Sequence, residues 1–230
     1  MLPVPVVDRY GAHLVVRDDL LPGGTKMRAI MPLIQASDAS EFVYASPAQG
    51  YAQVALAHCA AMMGRRATVF TAKRKEPHKL TLQAKAAGAK VVMVPNGYLV
   101  VVQARARDYV CDVGASMIPF GVEDMRAMLA IAAAAQSLNI APPEVWCVAG
   151  SGVLTRALQI AWPNAKFYAV VVGKKDSDTG RANRIIYPAD FDAPARILPP
   201  FPSAINYDAK GWEYFKKSAC DGALFWNVGA

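Results

Sequence analysis

One stretch limits the fold more than any other. Residues 41–95 run EFVYAS (41–46), AQVALAHCAAMMG (52–64), RATVFTA (66–72), HKLTLQAKAAG (78–88) and AKVVMVP (89–95). Short apolar runs of strand length alternate with alanine-rich helical runs. Both helical runs stop at a glycine, Gly64 and Gly88, the residue that tolerates the left-handed position past a helix end. A strand–helix–strand–helix–strand order leaves few solutions: parallel pairing, right-handed crossovers, and helices laid on the sheet. The remainder reads in the same alternation. HLVVRD (13–18), EVWCVAG (144–150), KFYAVVVG (166–173) and ALFWNVG (223–229) predict strands. VVVQARARDYV (100–110), EDMRAMLAIAAAAQSLN (123–139) and WEYFKKSA (212–219) predict helices, the second with Glu123 and Asp124 at its positive end. The stretch 174–206, with Pro188, Pro194, Pro199, Pro200 and Pro202, predicts an irregular connection. The class is α/β.

Composition sets outer bounds. Apolar residues make up 54% of 230 and charged residues 19%, which supplies a core and argues against disorder. No apolar run reaches about 18 residues, so no membrane-spanning helix is expected, and MLAIAAAAQSL (128–138) reads as a buried helix. The opening MLPVPVVDRYG lacks the basic region and apolar run of a secretory leader. Cys59, Cys111, Cys147 and Cys220 are scattered without a CxxC pair. Neither a zinc site, nor any metal site, nor a disulfide framework is expected, and the expected compartment is the cytoplasm. The formal charge of +7 suits an anionic partner: a phosphate-bearing cofactor, an acidic substrate or nucleic acid. The basic clusters KRKEPHK (73–79), Arg65–Arg66, Lys174–Lys175 and Lys216–Lys217 also suit ordinary solvated faces.

Ligands of parallel sheets gather on loops at the carboxyl ends of strands. Three such loops carry unusual residues: 45–51, 149–155 and 227–230. Upstream, PGGTKMRA (22–29) sets a glycine pair before Lys26, which reads either as a solvated side chain or as a nucleophile in a partly apolar setting. Gly150, Ser151, Gly152, Val153, Leu154 and Thr155 lead from a strand into a helix. They form either a tight turn or a phosphate cradle of backbone N–H groups. They match neither the Walker nor the dinucleotide glycine pattern. Ser46, Pro47, Ala48, Gln49 and Gly50 form either a turn capped by Ser46 or a seat for a carboxylate.

Taken together, these segments resemble the fold-type II pyridoxal-phosphate enzymes: tryptophan synthase β chains, cysteine synthases and serine/threonine dehydratases. The aminocyclopropane-carboxylate deaminase and D-cysteine desulfhydrase group is the most similar in flavour. Its lysine motif R-x-D-x(n)-G-G-N-K-x-R-K is matched by RDDLLPGGTKMRA (17–29), and A-S-S-G-N-H-A-Q-x-V-A-L-A by ASPAQGYAQVALA (45–57). PHKLTLQAKAAGAKV (77–91) resembles P-x-x-K-L-x(6)-G-A-x-V with the Lys79–Leu80 pair one place earlier, and IPFG (118–121) resembles the segment before the substrate-side helix. AGSGVLTRAL (149–158) resembles the phosphate loop G-S-G-G-T. NYDAKGWEYF (206–215) resembles D-P-V-Y-x-G-K-A, and LFWNVGA (224–230) the terminal L-F-x-H-T-G-G. The blocks cover nearly the whole chain in the family's order.

The resemblance implies a three-layer, mostly parallel α/β fold in shortened form. It implies a larger cofactor-binding domain of 1–40 and 116–230 and a smaller inserted domain of 41–115. It implies pyridoxal 5′-phosphate held by Lys26, which also shuttles the Cα proton from its place at a strand's end. Gly150, Ser151, Gly152, Val153 and Leu154 would take the phosphate and Gln49 the ring hydroxyl. Ser46, Pro47 and Ala48 would line the substrate-carboxylate pocket, and Tyr207 would face ring and substrate. Three departures stand out. Val228 replaces the threonine that meets the pyridine nitrogen, leaving Asn227 as the substitute. Pro47, Ala48 and Gly50 replace polar Ser, Gly and His. Several loops are short, which would open the cleft.

The implied function is Cα bond cleavage on an amino acid: deamination, lyase chemistry or β-elimination. Two alternatives stay open. One is a decarboxylase or lyase acting on an amino acid attached to a modified base in DNA, of the phage hypermodification kind, with DNA met by the basic surface. The other is a non-catalytic relative that kept the fold for binding. Family habit implies a homodimer.

Overall fold

A computed structural model describes residues 2–95, 97–173 and 176–230. The basic pair Lys174–Lys175 lies outside the described residues. The chain divides into two compact units, one of 1–21 with 128–230 and the other of 22–127, so the second is inserted in the first.

The inserted unit is built on a parallel four-stranded sheet. Its strands are β3 (Glu41–Ala45), β4 (Arg66–Ala72), β5 (Lys90–Val94) and β6 (Ser116–Met117), in the order β5-β4-β3-β6. The helices α2 (Ala52–Met62), α3 (Lys79–Ala86) and α4 (Leu99–Val113) connect them, and α1 (Thr25–Gln35) precedes them. β3 pairs β4 from Glu41↔Arg66 to Ala45↔Phe70, so both carboxyl ends arrive at the same edge. β3 is buried at all five positions, as a parallel strand covered on both faces must be. Val43, Ala45, Phe70, Val94, Val102 and Ala106 form the core between sheet and α4.

The enclosing unit holds a six-stranded sheet in the order β1-β2-β10-β7-β8-β9. Its strands are β1 (Val7–Tyr10), β2 (His13–Arg17), β7 (Glu144–Ala149), β8 (Lys166–Val171), β9 (Asn183–Ile186) and β10 (Leu224–Asn227). Only the β1–β2 pair is antiparallel. The helices α5 (Met125–Gln136), α6 (Val153–Ala161) and α7 (Asp208–Ser218) complete the chain; α6 and α7 pack on β7 and β8. An aromatic core of Trp146, Phe201, Trp212, Phe215 and Phe225 joins sheet to helix. Trp146 stacks on Tyr168 with ring centroids 4.2 Å apart.

Three sequence expectations need correction. The proline-rich stretch 174–206 is not wholly irregular, because β9 lies inside it and pairs in parallel with β8 from Tyr168↔Asn183 to Val171↔Ile186. The prolines fall outside those four residues, so the strand keeps its N–H donors. The helix expected from 212 begins at Asp208, whose place behind Tyr207 gives no local signal. Lys26 does not stand at a strand's end: a 3₁₀ turn over Asp18–Leu20 follows β2, and Lys26 is the second residue of α1. Among the described residues no helix is long and apolar enough to cross a membrane, and no cluster of His, Cys, Asp or Glu could hold a metal ion.

Candidate active site

In the inserted unit, the glycine pair before Lys26 has two separate jobs. Gly24 precedes α1 with φ +60°, a conformation that side-chain-bearing residues rarely adopt. Gly23 lies so close to α2 that a Cβ there would sit 2.4 Å from the Cα of Ala55. The missing side chain lets α1 approach α2, and Cys59 Sγ then reaches the carbonyl of Met27 at 3.6 Å. This packing fixes the first turn of α1 and with it Lys26.

Lys26 is partly exposed as a residue, but its amine is surrounded by protein. Nζ donates to the carbonyl of Gly121 at 2.5 Å. Desolvation pulls the ammonium down from 10.5 to about 8. The positive end of α1, one residue away, acts in the same direction. A lysine poised near neutrality is a far better nucleophile than a solvated one.

The turn that supplies this carbonyl is strained. Gly121 has φ +72°, and the next residue, Val122, has φ +59° although it is β-branched. Such a backbone costs about 1–3 kcal/mol and persists only when its surroundings impose it. Val122 is fully buried, and the Tyr44 phenol, pushed up to about 12 by burial, bonds the backbone of Gly121. The turn is thus clamped from behind while its carbonyl faces the amine.

The loop after β3 is organised by a residue the sequence reading left unassigned. Gln53, fully buried on α2, donates from Nε2 to the carbonyls of Ala48 (2.8 Å), Gly50 (3.1 Å) and Pro47 (3.5 Å). Its Oε1 is buried without a partner among the described residues. Three carbonyls of one loop are drawn to one amide, and the Ala48 N–H has no partner among the described residues. Ser46 does not cap α2. Its Oγ donates to the Pro47 carbonyl at 2.8 Å and its N–H to Phe70 at 2.8 Å, while Tyr51 occupies the cap position. Ser46 and Ala48 are buried, Pro47 is exposed and Gln49 is partly exposed.

In the enclosing unit, the loop Gly150–Leu154 enters α6 with Gly152 at φ +81°. A Cβ at Gly152 would stand 1.7 Å from the Asp178 carbonyl, so no other residue fits. The N–H groups of Ser151, Gly152, Val153 and Leu154 take no hydrogen bond among the described residues. Gly152, Val153 and Leu154 belong to the start of α6, whose first N–H groups have no acceptor within the helix, and with Ser151 they form a ready seat for an anion. The neighbouring N–H of Gly150 is used: it donates to the Tyr207 hydroxyl at 2.9 Å, which in turn donates to the Val148 carbonyl at 3.2 Å. Ser177 Oγ donates to the Gly150 carbonyl. Burial pushes the Tyr207 phenol far above its ordinary range, so it stays neutral as a strut beneath the loop.

Asn227 is fully buried and its side chain is fully occupied. Nδ2 donates to Asp19 Oδ1 (2.7 Å) and to the Pro202 carbonyl (2.9 Å), while Oδ1 accepts from Ser203 Oγ (2.9 Å). Asp19 is in turn held by Arg17 through two bonds of 2.8 Å. The group with spare capacity near the last strand is Asp208, which the sequence reading missed. It is fully buried; Oδ2 accepts the Gly229 N–H at 3.2 Å, and Oδ1 has no partner among the described residues. Burial raises its pKa well above the carboxylate range, although the Val228 and Gly229 backbones oppose this. An acidic residue at a helix start offers no local hint of such a role, because most serve the helix dipole.

The chain shares its fold with a set of solved structures that are 11–19% identical to it. Among solved structures the chain is similar to an ACC deaminase homologue, at 15% identity and TM-score 0.81, covering 94% of this chain and 84% of that one. It is similar to maize serine racemase at 11% identity and TM-score 0.76, covering 99% and 88%. It is also similar to a pyridoxal 5′-phosphate-dependent aspartate racemase at 14% identity and TM-score 0.63, covering 73% of this chain and 57% of that one. No protein-family model and no curated relative matches the chain.

Proposed function

We propose that the chain is a pyridoxal-phosphate-dependent enzyme that cleaves a bond at Cα of an amino acid group, of the deaminase or lyase type. The observation that carries this reading is Lys26: a desolvated amine near pKa 8, held on one carbonyl of a strained turn, in a chain with this fold. The residues fit the cofactor. The N–H groups of 151–154, without partners among the described residues, suit its phosphate. Asp208 rather than Asn227 has the unused polar atom for the ring nitrogen, because every Asn227 donor and acceptor is taken.

Bound there, pyridoxal phosphate supplies an aldehyde that condenses with primary amines and a ring that takes up negative charge from Cα. Lys26 holds it through Nζ and carries the proton to or from Cα. Gln53 turns the loop carbonyls inward, so that the Ala48 N–H is left to receive the substrate carboxylate, while Ser46, whose donors are already bonded, and Pro47, which has no N–H, line the pocket. Gln49 serves the ring hydroxyl. Tyr207 acts by holding the phosphate loop in shape.

Absorbance of the purified, cofactor-loaded chain tests the reading. A visible band should be present and Lys26→Ala should abolish it; a chain that takes up no cofactor ends the proposal. The +7 charge supports a polyanionic ligand such as DNA beside the amino acid, in the same or a neighbouring copy of a homodimer. DNA retardation that weakens across a salt series would sharpen that extension.

A further inference from the structure

A cavity of about 200 Å³ opens at the carboxyl edge of the small sheet. It is lined by Ala45 at the end of β3, by Met117 at the end of β6, by Ile118 and Phe120, and by Gln103 and Arg107 of α4. Three observations give it meaning. First, its lining stops one residue short of the site in two places: Phe120 precedes Gly121, whose carbonyl holds Lys26 Nζ at 2.5 Å, and Ala45 precedes the Ser46–Gly50 loop. Second, Gln103 and Arg107 stand one helical turn apart on the same wall, and neither makes a hydrogen bond or ion pair among the described residues. Arg105, on the same helix, is paired with Asp108 at 3.6 Å. Third, the remaining lining is apolar, with Gln103 half-buried and Arg107 exposed, so the cavity opens to solvent beside a cation and a carboxamide.

We infer that this cavity is the side-chain subsite for an amino acid carrying an anion, carboxylate or phosphate, on a short stem. The stem lies along Met117 and Ile118, the guanidinium of Arg107 meets two oxygens of the anion, and the Gln103 amide donates to it. Arginine is suited to this because its planar fork matches both anions. The inference rests on the proposed function, since it takes Lys26 as the amine that receives the substrate.

The test uses the cofactor-loaded chain and follows its visible band during titration with glutamate, O-phosphoserine, glutamine and serine. Glutamate or O-phosphoserine should perturb the band at concentrations about tenfold or more below those of its neutral counterpart. The two acidic probes distinguish a carboxylate site from a phosphate site. Arg107→Ala and Gln103→Leu should each shrink that preference, and Arg105→Ala should leave it intact. Calorimetric titration of the cofactor-free chain with the favoured probe gives a second readout, in which Arg107→Ala should weaken binding. A band that responds equally to acidic and neutral probes, or a preference that survives Arg107→Ala, overturns the subsite while leaving the enzyme reading in place. A wild-type chain with no band overturns both.

Discussion

Lys26 and Lys210 are both lysines that the fold has taken out of water, yet they are built to opposite ends. Lys210 is fully buried and saturated. Its Nζ donates to the carbonyls of Asp190 (2.8 Å) and Phe191 (3.0 Å) and lies 4.9 Å from the Tyr187 ring centre and 5.8 Å from that of Phe191. Desolvation lowers its pKa, but Asp192, Asp190 and Glu213 oppose that and keep the charge in place. Lys26 keeps some surface, has one carbonyl partner and no acid to compensate it. Burial alone therefore does not make a reactive lysine. Reactivity needs burial without compensation, plus an open side from which an electrophile can come.

The largest expected effects separate the two residues by function. Lys26→Ala should remove the visible band, whereas Lys210→Met should retain it. The cost of Lys210→Met should instead fall on stability, about 2–3 kcal/mol in denaturant unfolding, from two lost charge-assisted hydrogen bonds and the ring contacts. If Lys210→Met also lost the band, the contrast would fail. Gly152→Ala should come next. A Cβ 1.7 Å from the Asp178 carbonyl must displace the loop, so about 3 kcal/mol of stability and at least tenfold in cofactor affinity should go together. An unchanged affinity would separate the loop from the phosphate.

Gln53→Leu should cost about 2–3 kcal/mol by releasing three loop carbonyls. It should also raise the concentration of amino acid needed to perturb the band, with the cofactor still bound. A variant that lost stability alone would reduce Gln53 to a structural tie. The smallest effect is in the pH dependence of the cofactor-free chain. The folded state holds Lys26 near 8 against 10.5 unfolded, so between those values the unfolded chain carries the extra proton. Stability should therefore rise with pH across that window. The gain should be about 1–3 kcal/mol, discounted for partial exposure, relative to Lys26→Met. Below pH 8 the difference between the two should be flat. Parallel profiles across the window would mean that the amine is not desolvated.

The two lysines also show how unevenly the molecule could be read in advance. Lys26 was visible in the sequence because glycines punctuate the chain before it, but the reason for them was not. Gly23 answers to Ala55, thirty-two positions away, and no local pattern encodes that distance. Asn227 looked available because it stands beside Val228 on a glycine-ended strand. Its occupation by Asp19, Pro202 and Ser203 arises only when β2 and β10 pair. Asp208 was passed over because an acid at a helix start is ordinary; its orphan Oδ1 exists only in the packed core.

The sequence by itself determined the α/β alternation, the parallel order of β3, β4 and β5, and the presence of a lysine and a glycine loop in a particular family's order. Those properties follow from hydrophobic period and from turn residues, which act over a few positions. Only the tertiary structure decided which polar groups kept spare capacity among the described residues: the amine of Lys26 with its single carbonyl partner, the N–H groups of 151–154, Oδ1 of Asp208, and the Gln103–Arg107 wall. Satisfaction of a polar group is settled by whatever the fold brings beside it, and chemistry happens where that satisfaction is withheld.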